Sequence, residues 1–157
     1  MKPKLYVETS VISYLTARPS RDVIVLAHQQ LTRKWWEGHR QRFDLCTSAI
    51  LVEEVSAGSP QAARKRLEAS KDLPLLDVTS AARDLANELV SSGVIAPGHV
   101  RDAFHIAVAA VHGMDYLVTW NCTHIANAEL RERLEAACSE GGYRLPIICT
   151  PEELMGE

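Results

Sequence analysis

Short apolar runs alternate with longer stretches of helical periodicity along this chain. Leu5-Tyr6-Val7 is a compact apolar run ending at Glu8, and Thr9-Ser10 supply N-cap chemistry for a periodic segment carrying Val11, Ile12, Tyr14 and Leu15. This predicts a strand feeding straight into a helix. A long helix follows from residue 21 to about 38, with Val23, Ile24, Leu26, Ala27 and Leu31 expected inward, and a second strand over 43–47. Ser48 caps the next helix, which Gly58-Ser59-Pro60 ends, and a further helix from Gln61 carries Ala62, Ala63 and Leu67. A third strand is expected over 75–78, a helix from Thr79-Ser80 to Gly93, and another over 100–113 introduced by Pro97-Gly98. The fourth strand falls at 116–119, a helix runs from 123 to about 140, and the fifth strand covers 145–149. Strands separated by helices imply an α/β fold of parallel βαβ units, with helices on both faces of the sheet.

Composition narrows the picture. A chain of 157 residues that is 46% hydrophobic suits one domain with one sizeable core, and no Pro-, Gly- or Ser-rich linker divides it. We therefore expect a single domain over 1–157. Glu8 interrupts the apolar run a signal peptide needs, and no stretch approaches bilayer length, so a cytoplasmic protein without a membrane association is expected. Cys46, Cys122, Cys138 and Cys149 show no paired or finger-like spacing and read as free, mostly buried thiols. The net charge of −3 argues against a nucleic-acid binder that works through overall basicity. Residues 18–42 nevertheless hold six cations against two acids, leaving room for a local basic face.

In open parallel sheets, ligands bind beyond the carboxyl ends of the strands. Glu8 falls at such an end, where an acid serves either chemistry or the dipole of the following helix. Asp102 lies in the first turn of its helix and shares a face with His105, Ile106 and Ala109, while Ala103, Ala107 and Ala110 let the other side pack closely. Glu53 and Glu54 sit together in an apolar stretch after the second strand, and helical geometry alone does not decide which faces inward. Thr119 and Asn121 bring a hydroxyl and an amide to the end of the fourth strand.

These pieces resemble the PIN-domain family, and within it the VapC-like toxins of type II toxin–antitoxin pairs. The matching segments are Tyr6-Val7-Glu8-Thr9-Ser10-Val11-Ile12-Ser13-Tyr14-Leu15, Thr47-Ser48 followed by Glu54, Asp102-Ala103-Phe104-His105-Ile106-Ala107, and Tyr116-Leu117-Val118-Thr119-Trp120-Asn121. The resemblance implies a three-layer fold with a five-stranded parallel sheet in the order 3-2-1-4-5. It also implies an acidic pocket that binds Mg²⁺ or Mn²⁺ and cleaves RNA, built from Glu8, Glu54 and Asp102, with Glu54 rather than Glu53 as the pocket acid. Two departures stand out: Glu8 replaces the usual first aspartate, and Asn121 offers a neutral amide where many members keep a further acid. Asp115 and His124 are near enough in sequence to be considered as substitutes, although Asp115 precedes its strand.

The chemistry explains the pattern. Hydrolysis brings water to an anionic phosphate, which bare carboxylates repel and a carboxylate-bound cation attracts. Glu8 and Asp102 are the expected metal ligands, Glu54 an outer-sphere ligand or a base for the attacking water, and Thr9, Ser10 and Thr119 orienting groups. His105 is expected to pack or to support a ligand rather than be one. The cations of 18–42 are candidates for phosphate contacts, and Trp35-Trp36 for base stacking or, more simply, for core or dimer packing. The resemblance further implies a homodimer and a small antitoxin partner. The competing reading is a catalytically inactive PIN domain that binds RNA or protein. A phosphoacceptor receiver domain is disfavoured, because no lysine stands on the last strand near Pro146.

Overall fold

A computed structural model describes residues 1–156. β1 (Lys4–Val7) runs into α1 (Thr9–Thr16), and α2 (Val23–Gly38) leads through a tight turn at Arg40–Arg42 to β2 (Asp44–Ser48). α3 (Ala49–Val55) and α4 (Pro60–Ser70) precede β3 (Leu75–Leu76). α5 (Ser80–Ser91) and α6 (Val100–Val111) precede β4 (Tyr116–Val118), and α7 (Arg131–Glu140) precedes β5 (Ile147–Cys149). The five strands form one parallel sheet in the order β3-β2-β1-β4-β5, as the resemblance implies.

Side chains alternate across the pleat and so define three layers. Leu5, Val7, Val118 and Cys149 face one buried cluster with Val11 and Ile12 of α1, Trp35 of α2 and Leu51 of α3. Tyr6, Leu117 and Ile148 face the other, with Leu85 and Leu89 of α5, Ile106 of α6 and Leu134 of α7. β1 has β2 on one side and β4 on the other, so the chain winds away from it in both directions. The crevice above the β1–β4 pair is the switch point where such sheets bind ligands.

Three local expectations are corrected. Thr9-Ser10 do not cap α1: Glu8 does, its carboxylate accepting the Ser10 amide. Val23 and Ile24 are 77% and 65% exposed, because α2 packs through Gln29, Thr32 and Trp35 and its first turn overhangs the core. The polar pair is inward for a reason. Thr32 accepts the Trp120 indole N–H at 2.7 Å, and Gln29 accepts the Ser20 amide while donating to the Arg18 carbonyl. Finally, α7 starts at Arg131 rather than at residue 123, since the side chains of Asn121 and Asn127 satisfy backbone amides in turns ahead of it.

The basic segment is partly consumed by the fold. Arg33 donates to the carbonyls of Leu15 and Ala17, Arg42 to that of Leu154, and Arg40 lies over the Trp36 ring. Arg18, Arg21 and Lys34 remain exposed. Trp35 is fully buried against Phe43, which removes it from any role in stacking bases. No helix among the described residues is long and apolar enough to cross a membrane.

Candidate active site

Glu8 closes the joint between β1 and α1. Its amide stays on the sheet, donating to the Val118 carbonyl at 3.1 Å, while its side chain folds back over the helix N-terminus. One carboxylate oxygen accepts the Ser10 amide at 2.8 Å; the other accepts the Ser10 hydroxyl at 2.6 Å and the Thr119 hydroxyl at 2.5 Å. Ser10 in turn accepts the Trp120 amide, and Thr119 accepts the Asn121 amide. Glu8 is 4% exposed, and its bond from Thr119 stitches the carboxyl ends of β1 and β4 together. A carboxylate has about four acceptor positions, so three occupied ones leave a single free position, on Oε2.

Glu54 is the half-buried acid of α3, whereas Glu53 is exposed. Its Oε1 accepts the Thr9 hydroxyl at 2.8 Å and lies 2.5 Å from His105 Nε2. An ionised carboxylate can only accept, so the proton on that contact belongs to Nε2. The fully buried His105 ring has its Nδ1 2.7 Å from the Tyr6 hydroxyl, which is 2.7 Å from the Ser48 hydroxyl. The Tyr6 hydroxyl thus bonds both Nδ1 and Ser48, and each polar atom along this hydrogen-bonded relay has a partner. Burial pushes the Glu54 carboxyl up, but the His105 hydrogen bond and charge, the Thr9 hydroxyl and Arg101 together outweigh it and hold the group below the usual carboxylate range. Burial likewise raises the Tyr6 phenol, which stays protonated.

Asp102 stands in the first turn of α6, with 15% of its side chain exposed. It lines, with Glu54, His99 and Arg101, an open cleft of about 470 Å³. A larger cleft of about 650 Å³ involves Lys4, Asp115 and Ile147, at the amino ends of the strands, where open parallel sheets do not carry their chemistry. Glu8 is not a lining residue of the Glu54–Asp102 cleft; it reaches that region through the first turn of α1, whose Thr9 holds Glu54. Glu8, Glu54 and Asp102 do not form a set whose ligand atoms all lie within 4.8 Å. The one such set among the described residues is His99, Asp102 and His124.

The oxygens of Glu54 and Asp102 and the one open position on Glu8 are hard donors of the kind a divalent cation takes. Mg²⁺ keeps several of its waters, so carboxylates more widely spaced than a tight chelate can act on it through water. The chemistry of these oxygens suits such a cation, with Glu54 and Asp102 on the cleft and Glu8 outside its lining. Asn121 spends its side-chain oxygen on the His124 amide at 3.0 Å, which makes it a turn-setting residue in this arrangement. The sequence reading passed over His99, although its spacing of three from Asp102 puts both on one helical face. It also passed over Ser48 and the Tyr6 hydroxyl as parts of the His105 chain; their signal, a polar group on a buried strand, is visible only once the strands are paired.

No protein with a curated description matches the chain. A solved structure described as a member of the VapBC family of toxin-antitoxin systems, VapBC-5, from Mycobacterium tuberculosis, is similar at 17% identity and a TM-score of 0.45, covering 76% of this chain and 86% of that one. The PIN domain family model matches residues 5–121, from the first strand to the asparagine after the fourth. That match spans Glu8, Glu54, Asp102 and Asn121 together with the first four of the five strands, and the chain belongs to the PIN-domain family, whose members are generally nucleases.

Proposed function

We propose that this PIN domain, acting as a single unit over its 157 residues, is an endoribonuclease dependent on Mg²⁺ or Mn²⁺. The observation that carries the reading is Glu54 and Asp102 lining one cleft at the carboxyl edge of the sheet, with Glu54 held ionised by His105 and Thr9. PIN nucleases generally use divalent metal ions. When bound, the ion supplies charge neutralisation for the phosphate and a more acidic water.

The chain's own residues divide the remaining work. Asp102 and the open position of Glu8 serve as the ligands, directly or through water. Glu54 has Oε1 fixed by two donors, which leaves Oε2 to orient the attacking water and take its proton. Thr9 and His105 fix that carboxylate, Ser10 and Thr119 fix Glu8, and Asn121 sets the loop beside Asp102. Within the basic segment, exposed Arg18, Arg21 and Lys34 are the cations left for RNA phosphates.

The toxin role in a toxin–antitoxin pair, with a small antitoxin as partner in the cytoplasm, rests on the resemblance of the Tyr6–Leu15 and Asp102–Ala107 segments to VapC-like toxins. A homodimer is supported by Val23 and Ile24, an adjacent apolar pair left in solvent at the start of α2. A second reading, an inactive domain that binds RNA or protein, is favoured by Asn121, whose amide replaces a charge and is used in a turn. Cleavage of a mixed RNA pool in Mg²⁺ or Mn²⁺ separates the two. Activity lost with EDTA and with Asp102→Asn and Glu8→Gln supports the nuclease; cleavage surviving these controls, or none from the native chain, overturns it.

A further inference from the structure

We propose that His99, Asp102 and His124 form a site for a borderline divalent transition cation of the Zn²⁺ class, a chemistry the carboxylates alone do not favour. One ligand atom from each lies within 4.8 Å of the others. His99 Nδ1 and Asp102 Oδ2 are 3.7 Å apart. Two donors at about 2.0–2.1 Å from a tetrahedral ion stand roughly 3.3 Å from each other, so His99 and Asp102 need close by only a few tenths of an ångström, while the His124 ring must turn out of its stack on His99 to aim a nitrogen at the ion.

The three residues reach this point for separate reasons. His99 occupies the N-cap position of α6, where its side chain makes no capping hydrogen bond, and Asp102 follows three residues on, over the same turn. His124 arrives from the loop after β4, in a turn fixed by Asn121. The two imidazoles stack with ring centroids 3.7 Å apart and planes 27° apart. Neither ring makes a hydrogen bond among the described residues, in contrast to His105, tied to Tyr6 and Glu54, and His112, bonded to the Asp77 carbonyl. Two imidazoles without hydrogen-bond partners beside a carboxylate are a donor set that Mg²⁺ does not favour and that Zn²⁺, Cu²⁺ and Ni²⁺ accept. His99 has 45% of its side chain exposed, which gives the ion a path in, and three protein ligands leave a fourth position open. Asp102 is common to this set and to the acidic cleft. If the proposed hydrolytic site is correct, an ion of this class held by the histidines withdraws Asp102 from it.

The test is calorimetric titration of ZnCl₂ and of MgCl₂ into the full chain, its His99→Ala and His124→Ala variants and a His112→Ala control, with imidazole ¹⁵N spectra of the native protein. One Zn²⁺ is expected to bind native and His112→Ala chains alike and at least roughly tenfold more weakly in either site variant. The ring-nitrogen signals of His99 and His124 should be those that move. Equal Zn²⁺ binding by all four proteins, no saturable binding, or shifts confined to other histidines overturns the site. The spectra need no variant, so a poorly folded substitution does not blunt the test. Mg²⁺-dependent RNA cleavage by the native chain, measured alongside, keeps the two ideas apart. Absence of cleavage in Mg²⁺ before any Zn²⁺ is added, with Zn²⁺ still binding at the histidines, leaves this site standing and removes only the nuclease reading.

Discussion

The Thr9 hydroxyl donates to the Glu54 carboxylate at 2.8 Å, joining the first turn of α1 to the last turn of α3 across the rim of the sheet. Removing that hydroxyl without changing shape, in Thr9→Val, should cost about 1.5–3 kcal/mol of stability, the usual worth of a bond to a charged group. If Glu54 orients the water, RNA cleavage should fall further than folding does. Urea unfolding and cleavage rates on one preparation give both numbers, and a variant as active and as stable as the native chain contradicts the assignment.

Glu54 also predicts a pH dependence. Its folded-state pKa lies below its ordinary 4.5, so the stabilisation it provides is fully present above that value and is lost as pH falls through the folded value. The stability gap between the native protein and Glu54→Gln should therefore be constant from neutrality down to about pH 6 and shrink below about pH 4. A gap that widens on acidification means the carboxyl is instead raised by its burial.

Tyr6→Phe deletes the hydroxyl between Ser48 and His105, stranding a ring nitrogen and a serine in a dry interior. A loss of roughly 1–3 kcal/mol is expected, more than the same change costs at an exposed site. Thermal unfolding checks this, and an unchanged midpoint argues that water replaces the hydroxyl.

Thiol chemistry reports on the core. Burial pushes Cys46 and Cys138 up to about 11 and Cys149 up to about 12, whereas Cys122 is exposed. Near pH 8, an aromatic disulfide reagent should modify one thiol of the four quickly and the rest only on unfolding, with Cys122→Ser abolishing the fast phase.

The order of elements was legible because strand and helix periods differ so clearly here, and because Ser48 and Thr79 carry cap chemistry that the fold uses. What misled was a side chain bonded outside its own periodic pattern, whether to a neighbour in a turn or to a distant partner. Val23 and Ile24 look inward by periodicity, but the satisfied bonds of Gln29 and Thr32 turn α2 so that its polar positions face the core. Periodicity cannot choose between Glu53 and Glu54, and the choice is made by His105, fifty-one residues away from Glu54. Glu8 is easy to see as a strand-end acid, yet the hydroxyl of Thr119 that completes its shell comes from the far side of the chain.

Glu8 caps a helix and bridges two strands whether or not the protein cuts anything. A lineage that abandoned catalysis would therefore keep an acid there under pressure to fold, and its presence is no record of activity. Asp102 makes no hydrogen bond through its side chain among the described residues, so its loss would cost the fold little. In related chains, decay of the enzyme should be written first at that position.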